Sequence, residues 1–538
     1  MATSQENINK IIQNSIQSNN LPAAAFAILQ NNEVTLSQGY GKTNIEEWAT
    51  PVTENTLFRI ASVSKLFTGT VIMMLVEKGL IDLDKPVQHY VPWFVTAHEE
   101  RSKDITVRML VTHSSGLPTG GDVSFFYKES GLYDYMREVV STLPVLFAPG
   151  SAYSYGNHAL NIAGFVAEMV TGMKFADLMQ EMLFDPLEMT QTTYHPLRAM
   201  TQPLALPHDR DAEENLTVAK QFFDNSASYP SYYAFSSIKD LTNFALMHLQ
   251  DGLLNGKQIL SAASIQEMRK KQSKWYTTND GGCGITFFKE TKDGIERFWH
   301  YGQYSYQYSS QFILVPEKGI AVIALANGEN IFQAGYEIVD ELLKDEAANV
   351  EPSEQPILTD EIDGKAYEGT YLHSYHGLFE ISELSGKLFM KHRENIYELK
   401  RQTSDIYSAQ DENGNNVFSV GFPPLAPNQA DRCIVVDTKA CPEFELAYTP
   451  NPTDWQDFIG TFSDGTESYE VKLGDSTVVI KDVQNNKELI GHAIERNRFL
   501  TREYGLVSFI DINGVVTLEF DYAWRYPKQE KDALVGQS

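Results

Sequence analysis

Apolar positions change their spacing twice along the chain, and each change predicts a change of architecture. Residues 5 to 45 read as a helix and then a hairpin, with Ala24-Phe-Ala-Ile-Leu-Gln and Glu33-Val-Thr-Leu-Ser-Gln as strands around a turn at Asn31-Asn32. From Leu57 to Leu80 apolar residues recur at helical spacing until Gly79, Asp82 and Pro86 end the pattern, which predicts the first long helix. To about residue 270, helical stretches such as Ala159 to Val170 and Leu241 to Leu249 alternate with loops rich in Pro, Tyr and Asp. This is the pattern of a helical lobe. Strand-like runs come next at Ile285-Thr-Phe-Phe, Gln311-Phe-Ile-Leu-Val and Ile320-Ala-Val-Ile-Ala-Leu, then an amphipathic helix from about Ile331 to Lys344. One antiparallel sheet joining both ends of this region, flanked by helices, is the expected α/β (α+β) arrangement.

Asp345 to Asp363 is acidic, carries Pro352 and Pro356 and keeps no period, so it reads as a linker. Beyond it the chain turns to short alternating strands, such as Leu378-Phe-Glu-Ile, Lys387-Leu-Phe-Met-Lys and Tyr469-Glu-Val-Lys-Leu. Tyr367-Glu-Gly369-Thr-Tyr371 returns as Phe458-Ile-Gly460-Thr-Phe462, which argues for a duplicated unit. The expected domains are therefore residues 1–350, 362–450 and 451–538, the last two being small all-β barrels divided near Pro450 to Trp455.

A length of 538 residues exceeds what one core supports. A net charge of -28 repels phosphate backbones and anionic lipid, so nucleic acid and membrane surfaces are not expected as partners. The N-terminus, Met1-Ala-Thr-Ser-Gln-Glu, lacks the basic start and apolar core of a secretory signal, and no apolar run approaches the roughly 20 residues of a bilayer-spanning helix. A cytoplasmic location is expected, with a processed secreted form left open. Cys283, Cys433 and Cys441 have neither redox nor metal-ligand spacing and read as structural thiols. The closest histidines, His373 and His376, have no carboxylate cluster nearby, so neither metal nor any other cofactor is expected.

A serine hydroxyl becomes a useful nucleophile when a neighbour takes its proton, and lysine can do so once its surroundings lower its pKa. Ser62-Val-Ser-Lys65 places hydroxyl and amine at i and i+3 of a helix face. The pattern is weak alone, because Ser236-Ser-Ile-Lys239 repeats it and reads there as a helix start with an exposed lysine. Ser62 stands out by its company downstream, Tyr155-Gly-Asn157 and His300-Tyr-Gly302, each of which occurs once. A tyrosine whose proton is drawn off by a lysine cation can relay protons, an asparagine amide can hold a substrate amide, and a glycine on a strand edge admits substrate backbone.

These three motifs make the chain resemble the serine β-lactamase and penicillin-binding protein superfamily, in the branch of class C β-lactamases, D-alanyl-D-alanine carboxypeptidases, D-aminopeptidases and related esterases. The resemblance covers roughly residues 5 to 345 and includes Leu57-Phe-Arg-Ile-Ala-Ser-Val-Ser-Lys-Leu-Phe-Thr, Ile105 to Pro118, and Pro149 to Asn157. It implies a β-lactamase-like catalytic domain followed by two lipocalin-like barrels. It also implies Ser62 as acylated nucleophile, Lys65 and Tyr155 as proton-transfer pair and His300 among the catalytic residues. Asn157, Tyr301, Gly302 and Gln303 would be substrate-binding, with the Gln303 N–H as an oxyanion donor.

Where relatives acting on penicillins carry Lys-Thr-Gly or Lys-Ser-Gly, this chain has His300-Tyr-Gly302, which removes a fixed cation for a substrate carboxylate. The expected activity is hydrolysis of short peptides, D-configured ones foremost, or of esters, with a barrel loop reaching the cleft as in D-aminopeptidases. Acyl transfer, transesterification or peptide cyclisation at the same serine is the alternative, followed by weak β-lactamase activity. A non-catalytic binding or scaffold protein would show a broken motif, and none is broken. The partner expected is a small molecule or short peptide, and the barrels add surface through which copies of the chain could form a homo-oligomer.

Overall fold

The computed structural model describes residues 2–120, 126–210, 215–278, 280–347, 362–425, 432–465, 467–474, 476–512 and 514–529. The greater part of the expected linker, including Pro352 and Pro356, lies outside the described residues.

An eight-stranded antiparallel sheet forms the frame of the first region. Its order runs from Glu33–Gly41 through Ala23–Gln30, Ile320–Ala326, Tyr308–Val315, Ile295–Tyr304 and Phe288–Lys292 to the short strands Gly282–Cys283 and Ser273–Lys274. Both ends of the region meet here, since Ala24 pairs with Ala326, as the apolar runs predicted. Asn31 and Asn32 take φ values of 53° and 62°, the left-handed pair that a tight two-residue hairpin requires and that asparagine tolerates. The N-terminal helix Ala2–Ser18 buries Ile8 and Ile12 against the sheet and the helix Ile331–Ala347. Helices Ser64–Glu77, Asn157–Thr171 and Ile238–Leu249 cover the other face or build the lobe. Among the described residues no helix is long and apolar enough to cross a membrane.

Two sequence expectations change. The helix expected from Leu57 begins only at Ser64; before it stand the strand pair Phe58–Arg59 and a 3-10 turn, Ala61–Val63. The break is backbone conformation, because Ala61 has a φ of 44°, which no α-helix contains. The run Ile285-Thr-Phe-Phe is mostly a buried turn and becomes strand only at Phe288. Thr286 is left-handed (φ 60°), and the turn packs onto Gly69 of the Ser64–Glu77 helix, where an added Cβ would lie 2.3 Å from Thr286 Oγ1. A buried turn and a buried strand give the same unbroken apolar run, so the sequence pattern does not separate them.

The C-terminal region is all-β. Eight sequential strands from Gly369–His373 to Lys439–Pro442 form one sheet, and eight from Gly460–Ser463 to Trp524–Pro527 form another. Each is nearly closed into a barrel, through the Tyr371–Glu443 and Phe462–Lys528 bridges. The repeat seen in the sequence has a structural meaning, since Gly369 and Gly460 open the first strand of each barrel with φ values of 157° and 147°. Tyr371 and Phe462, two residues on, point into the respective cores. Both barrels touch the first region: Lys274 pairs with Asp405 at 2.7 Å, and Arg525 donates to Thr142 Oγ1 at 2.9 Å. All three cysteines are buried and unpaired.

Candidate active site

The strained turn at Ala61 presents Ser62 at the foot of a helix with its side chain almost covered (8% exposed). In a 3-10 turn, residues i and i+3 eclipse, so Ser62 and Lys65 still meet although Ser62 lies outside the α-helix. Lys65 Nζ is 2.9 Å from Ser62 Oγ and donates to the Ser231 carbonyl at 2.8 Å. Tyr155 donates its phenolic proton to Ser62 Oγ at 2.8 Å, and its ring centroid is 4.9 Å from Lys65 Nζ.

Lys65 is fully buried, and burial pulls its pKa well below the ordinary lysine value. Burial also pushes the Tyr155 phenol up, more than its hydrogen bond to Ser62 brings it down. Burial thus works against the charged form of both groups, the ammonium of Lys65 and the phenolate of Tyr155. The lysine is made easier to deprotonate and the phenol harder.

The strand Ile295–Tyr304 supplies the opposite wall. Its neighbour Phe288–Lys292 pairs only as far as Trp299, so residues 300 to 304 have one open edge. The Gln303 carbonyl accepts from Tyr232 Oη at 2.7 Å, away from the strand Tyr308–Val315. In an antiparallel ladder a residue's N–H and C=O face the same side, so the Gln303 N–H also faces the open edge. Gly302 abuts the serine turn: an added Cβ would lie 2.3 Å from the Ile60 carbonyl oxygen and 2.9 Å from the Ser62 nitrogen.

His300 is buried, stacks on Phe288 at 4.4 Å and lies 6.0 Å from Tyr155, ring to ring. Its Nδ1 donates to the Tyr301 carbonyl at 2.7 Å, and burial with nearby Lys65 lowers its pKa to about 3. It is a neutral imidazole with a buried, unpartnered Nε2. Asn157 begins the helix Asn157–Thr171; its Nδ2 donates to the Gly120 carbonyl at 3.1 Å, and its Oδ1 has no partner. Neighbouring side chains on a strand point to opposite faces, so the Tyr301 ring packs on Trp299 and Phe332, with His300 6.4 Å away ring to ring, and the residue is 41% exposed. Its main chain lies on the open strand edge.

Three supporting residues escaped the sequence reading. His113 lies against the Tyr155 ring (4.7 Å) and accepts the Gly156 N–H at 3.2 Å. Ser310 donates to the Ile60 carbonyl at 2.7 Å, tying the strand to the turn. The Arg59 guanidinium is caged by Phe222, Tyr233, Phe235 and Tyr304 at 4.6 to 5.2 Å, which anchors the segment before Ser62. His113 sits inside the Ile105 to Pro118 segment and Arg59 inside the Leu57 to Thr68 segment, signals that could have found both; the aromatic cage around Arg59 is assembled from distant residues and has none. The second Ser-x-x-Lys behaves as read: Ser237 caps the helix Ile238–Leu249 by accepting from the Asp240 N–H (3.2 Å), Ser236 bonds Thr192, and Lys239 is exposed.

A buried hydroxyl touched by a buried amine and a phenol, beside an open strand edge, is the arrangement that attack by a serine on a carbonyl requires. Residues 8–341 match the Beta-lactamase family, and the chain belongs to it. It is 25% identical over 335 residues to Protein flp of Staphylococcus aureus, a match covering 60% of this chain and 63% of that protein. It is 27% identical to Penicillin-binding protein 4 of Amycolatopsis lactamdurans over 57% of this chain and 81% of that one. Two solved structures share the fold over most of the length. The octameric penicillin-binding protein homologue from Pyrococcus abyssi (20% identity, TM-score 0.56) covers 81% of this chain and 99% of its own. SurE with D-Leu (19% identity, TM-score 0.60) covers 82% and 100%.

Proposed function

We propose that the enzyme cleaves amides of small peptides, D-aminoacyl ones foremost, and related esters, through an acyl-enzyme on Ser62. The observation that carries this reading is Ser62 Oγ held between Lys65 Nζ at 2.9 Å and Tyr155 Oη at 2.8 Å, with the lysine buried. Oγ attacks the carbonyl carbon while its proton passes to the neutral Lys65 amine. The developing oxyanion faces the N–H groups of Ser62 and Gln303. Tyr155 protonates the leaving amine, and the Lys65 ammonium restores the phenolic proton. Water then attacks the ester by the reverse route.

The Asn157 Oδ1, buried and unpartnered, suits the N–H of a substrate amide. With His300 neutral, the pocket wall offers no fixed cation there, which favours substrates without a carboxylate beside the scissile bond. The D-preference draws on the resemblance to D-aminopeptidases and on SurE, whose structure holds D-Leu. The octameric Pyrococcus homologue supports a homo-oligomer here as well.

The test is a panel of matched D- and L-aminoacyl amides, esters and free-carboxylate dipeptides. We expect kcat/KM for D-aminoacyl amides to exceed that for L-isomers and for the dipeptides by about tenfold or more, a difference of ~1.4 kcal/mol. Equal rates on both isomers, or preference for the dipeptides, would contradict the substrate assignment while leaving the serine chemistry standing.

A further inference from the structure

Asn157 is held by a short loop. Its N–H donates to the Thr119 carbonyl at 2.7 Å and its Nδ2 to the Gly120 carbonyl at 3.1 Å, so both its main chain and its amide orientation depend on residues 119 and 120. The loop presses on the next residue of the helix. A Cβ at Gly120, whose φ is 67°, would lie 2.1 Å from the His158 ring.

His158 is wholly buried and spans the junction with the second barrel. One ring nitrogen bonds Tyr135 Oη; the other, Nε2, lies 3.1 Å from the Tyr522 carbonyl oxygen, to which it donates. Tyr522 belongs to the hairpin between the last two strands of that barrel. The hairpin is costly to form, since Asp521 and Tyr522 are both left-handed with φ values of 47° and 57°. It is held by the Arg498 guanidinium bonding Tyr522 Oη. Beside it the buried Arg525–Glu519 pair (2.7 Å) sends the Arg525 guanidinium to Thr142 of the first region. The barrel thus delivers a strained, anchored carbonyl to the back of the residue after Asn157. No barrel side chain is among the groups that touch Ser62, Lys65 or Tyr155 in the bonds described above.

We infer that His158 is a positioning residue, through which the second barrel fixes the Thr119–Gly120 loop and so the Asn157 amide that meets the substrate. The inference rests on the reading of Asn157 as the substrate-amide ligand. Its chemistry predicts a separation of effects. Reactions that need only Ser62, Lys65 and Tyr155 proceed without the brace, whereas recognition of an amide N–H suffers when it is loosened.

The experiment compares full-length wild type, His158→Phe, His158→Gln, Asn157→Ala and the Asn157→Ala/His158→Phe double variant. Each is assayed for phosphonylation by a fluorophosphonate and for kcat and KM on an aminoacyl amide. Phenylalanine keeps the ring beneath Gly120 and removes both hydrogen bonds; glutamine restores a donor toward Tyr522. We expect His158→Phe to raise KM for the amide by about 10- to 100-fold with phosphonylation within about threefold of wild type, His158→Gln to recover much of the loss, and the double variant to match Asn157→Ala. Tyr522→Gly, which keeps the left-handed turn but releases the anchored ring, is the barrel-side variant and should shift KM in the same direction. Additive losses in the double variant, equal loss of phosphonylation, or an unchanged KM in both His158→Phe and Tyr522→Gly would overturn the inference. If Asn157→Ala itself leaves the amide kinetics unchanged, the reading of Asn157 fails, and that result is separate from a failure of the brace alone.

Discussion

Lys65→Met should lose roughly 10⁴-fold in kcat/KM and at the same time gain stability at neutral pH. Lys65 is the only amine in contact with Ser62 Oγ in the described pocket, and methionine has nothing to accept its proton. Lys65→Arg should be as inactive, since a guanidinium stays charged across the working pH range. The stability gain comes from linkage. The unfolded chain protonates this lysine below its ordinary 10.5, while the folded chain holds the amine neutral well below that value. Over that interval the unfolded state binds one more proton, so wild-type stability declines as pH falls, by up to ~1.4 kcal/mol per unit. The methionine variant lacks this slope. Its advantage in denaturant melts should therefore be larger at pH 7 than at pH 9; an advantage independent of pH, or a variant less stable at both, would contradict the buried neutral amine.

Gly302→Ala should produce the second large loss. The added Cβ meets backbone at 2.3 Å (Ile60 O) and 2.9 Å (Ser62 N), with Ser310 Oγ at 2.5 Å, distances that no flexible side chain can relieve. Strand and serine turn must move apart by about an ångström, which takes the Gln303 N–H out of reach of the oxyanion. A misplacement of that size costs about 10²- to 10³-fold in kcat. Overpacking should also destabilise the fold by ~1–3 kcal/mol. Near-normal kcat in this variant would show that the strand edge does not complete the oxyanion site.

Features set by local forces were legible in the sequence, and features set by distant packing were not. The Asn31-Asn32 hairpin, the two Ser-x-x-Lys tetrads and the duplicated Gly369 and Gly460 strand openings depend on spacing within a few residues, and all could be read. Ser62 and Lys65 would meet on either an α or a 3-10 turn, so the pair survived an error in where the helix starts. Strand alternation already puts the Tyr301 side chain on the face opposite His300 and Gly302. The Arg59 cage, the burial that shifts Lys65 and Tyr155, and the bond from His158 to Tyr522 were out of reach. Each depends on burial by segments far away in sequence, 364 residues apart in the last case, and no periodicity encodes it.

The most direct test of Ser62 as the nucleophile is the intact mass of the protein after exposure to a fluorophosphonate, for wild type and Ser62→Ala side by side. One stoichiometric adduct is predicted on wild type, located to Ser62, and none on Ser62→Ala. An unmodified wild type, or an adduct that persists in Ser62→Ala, would contradict that role.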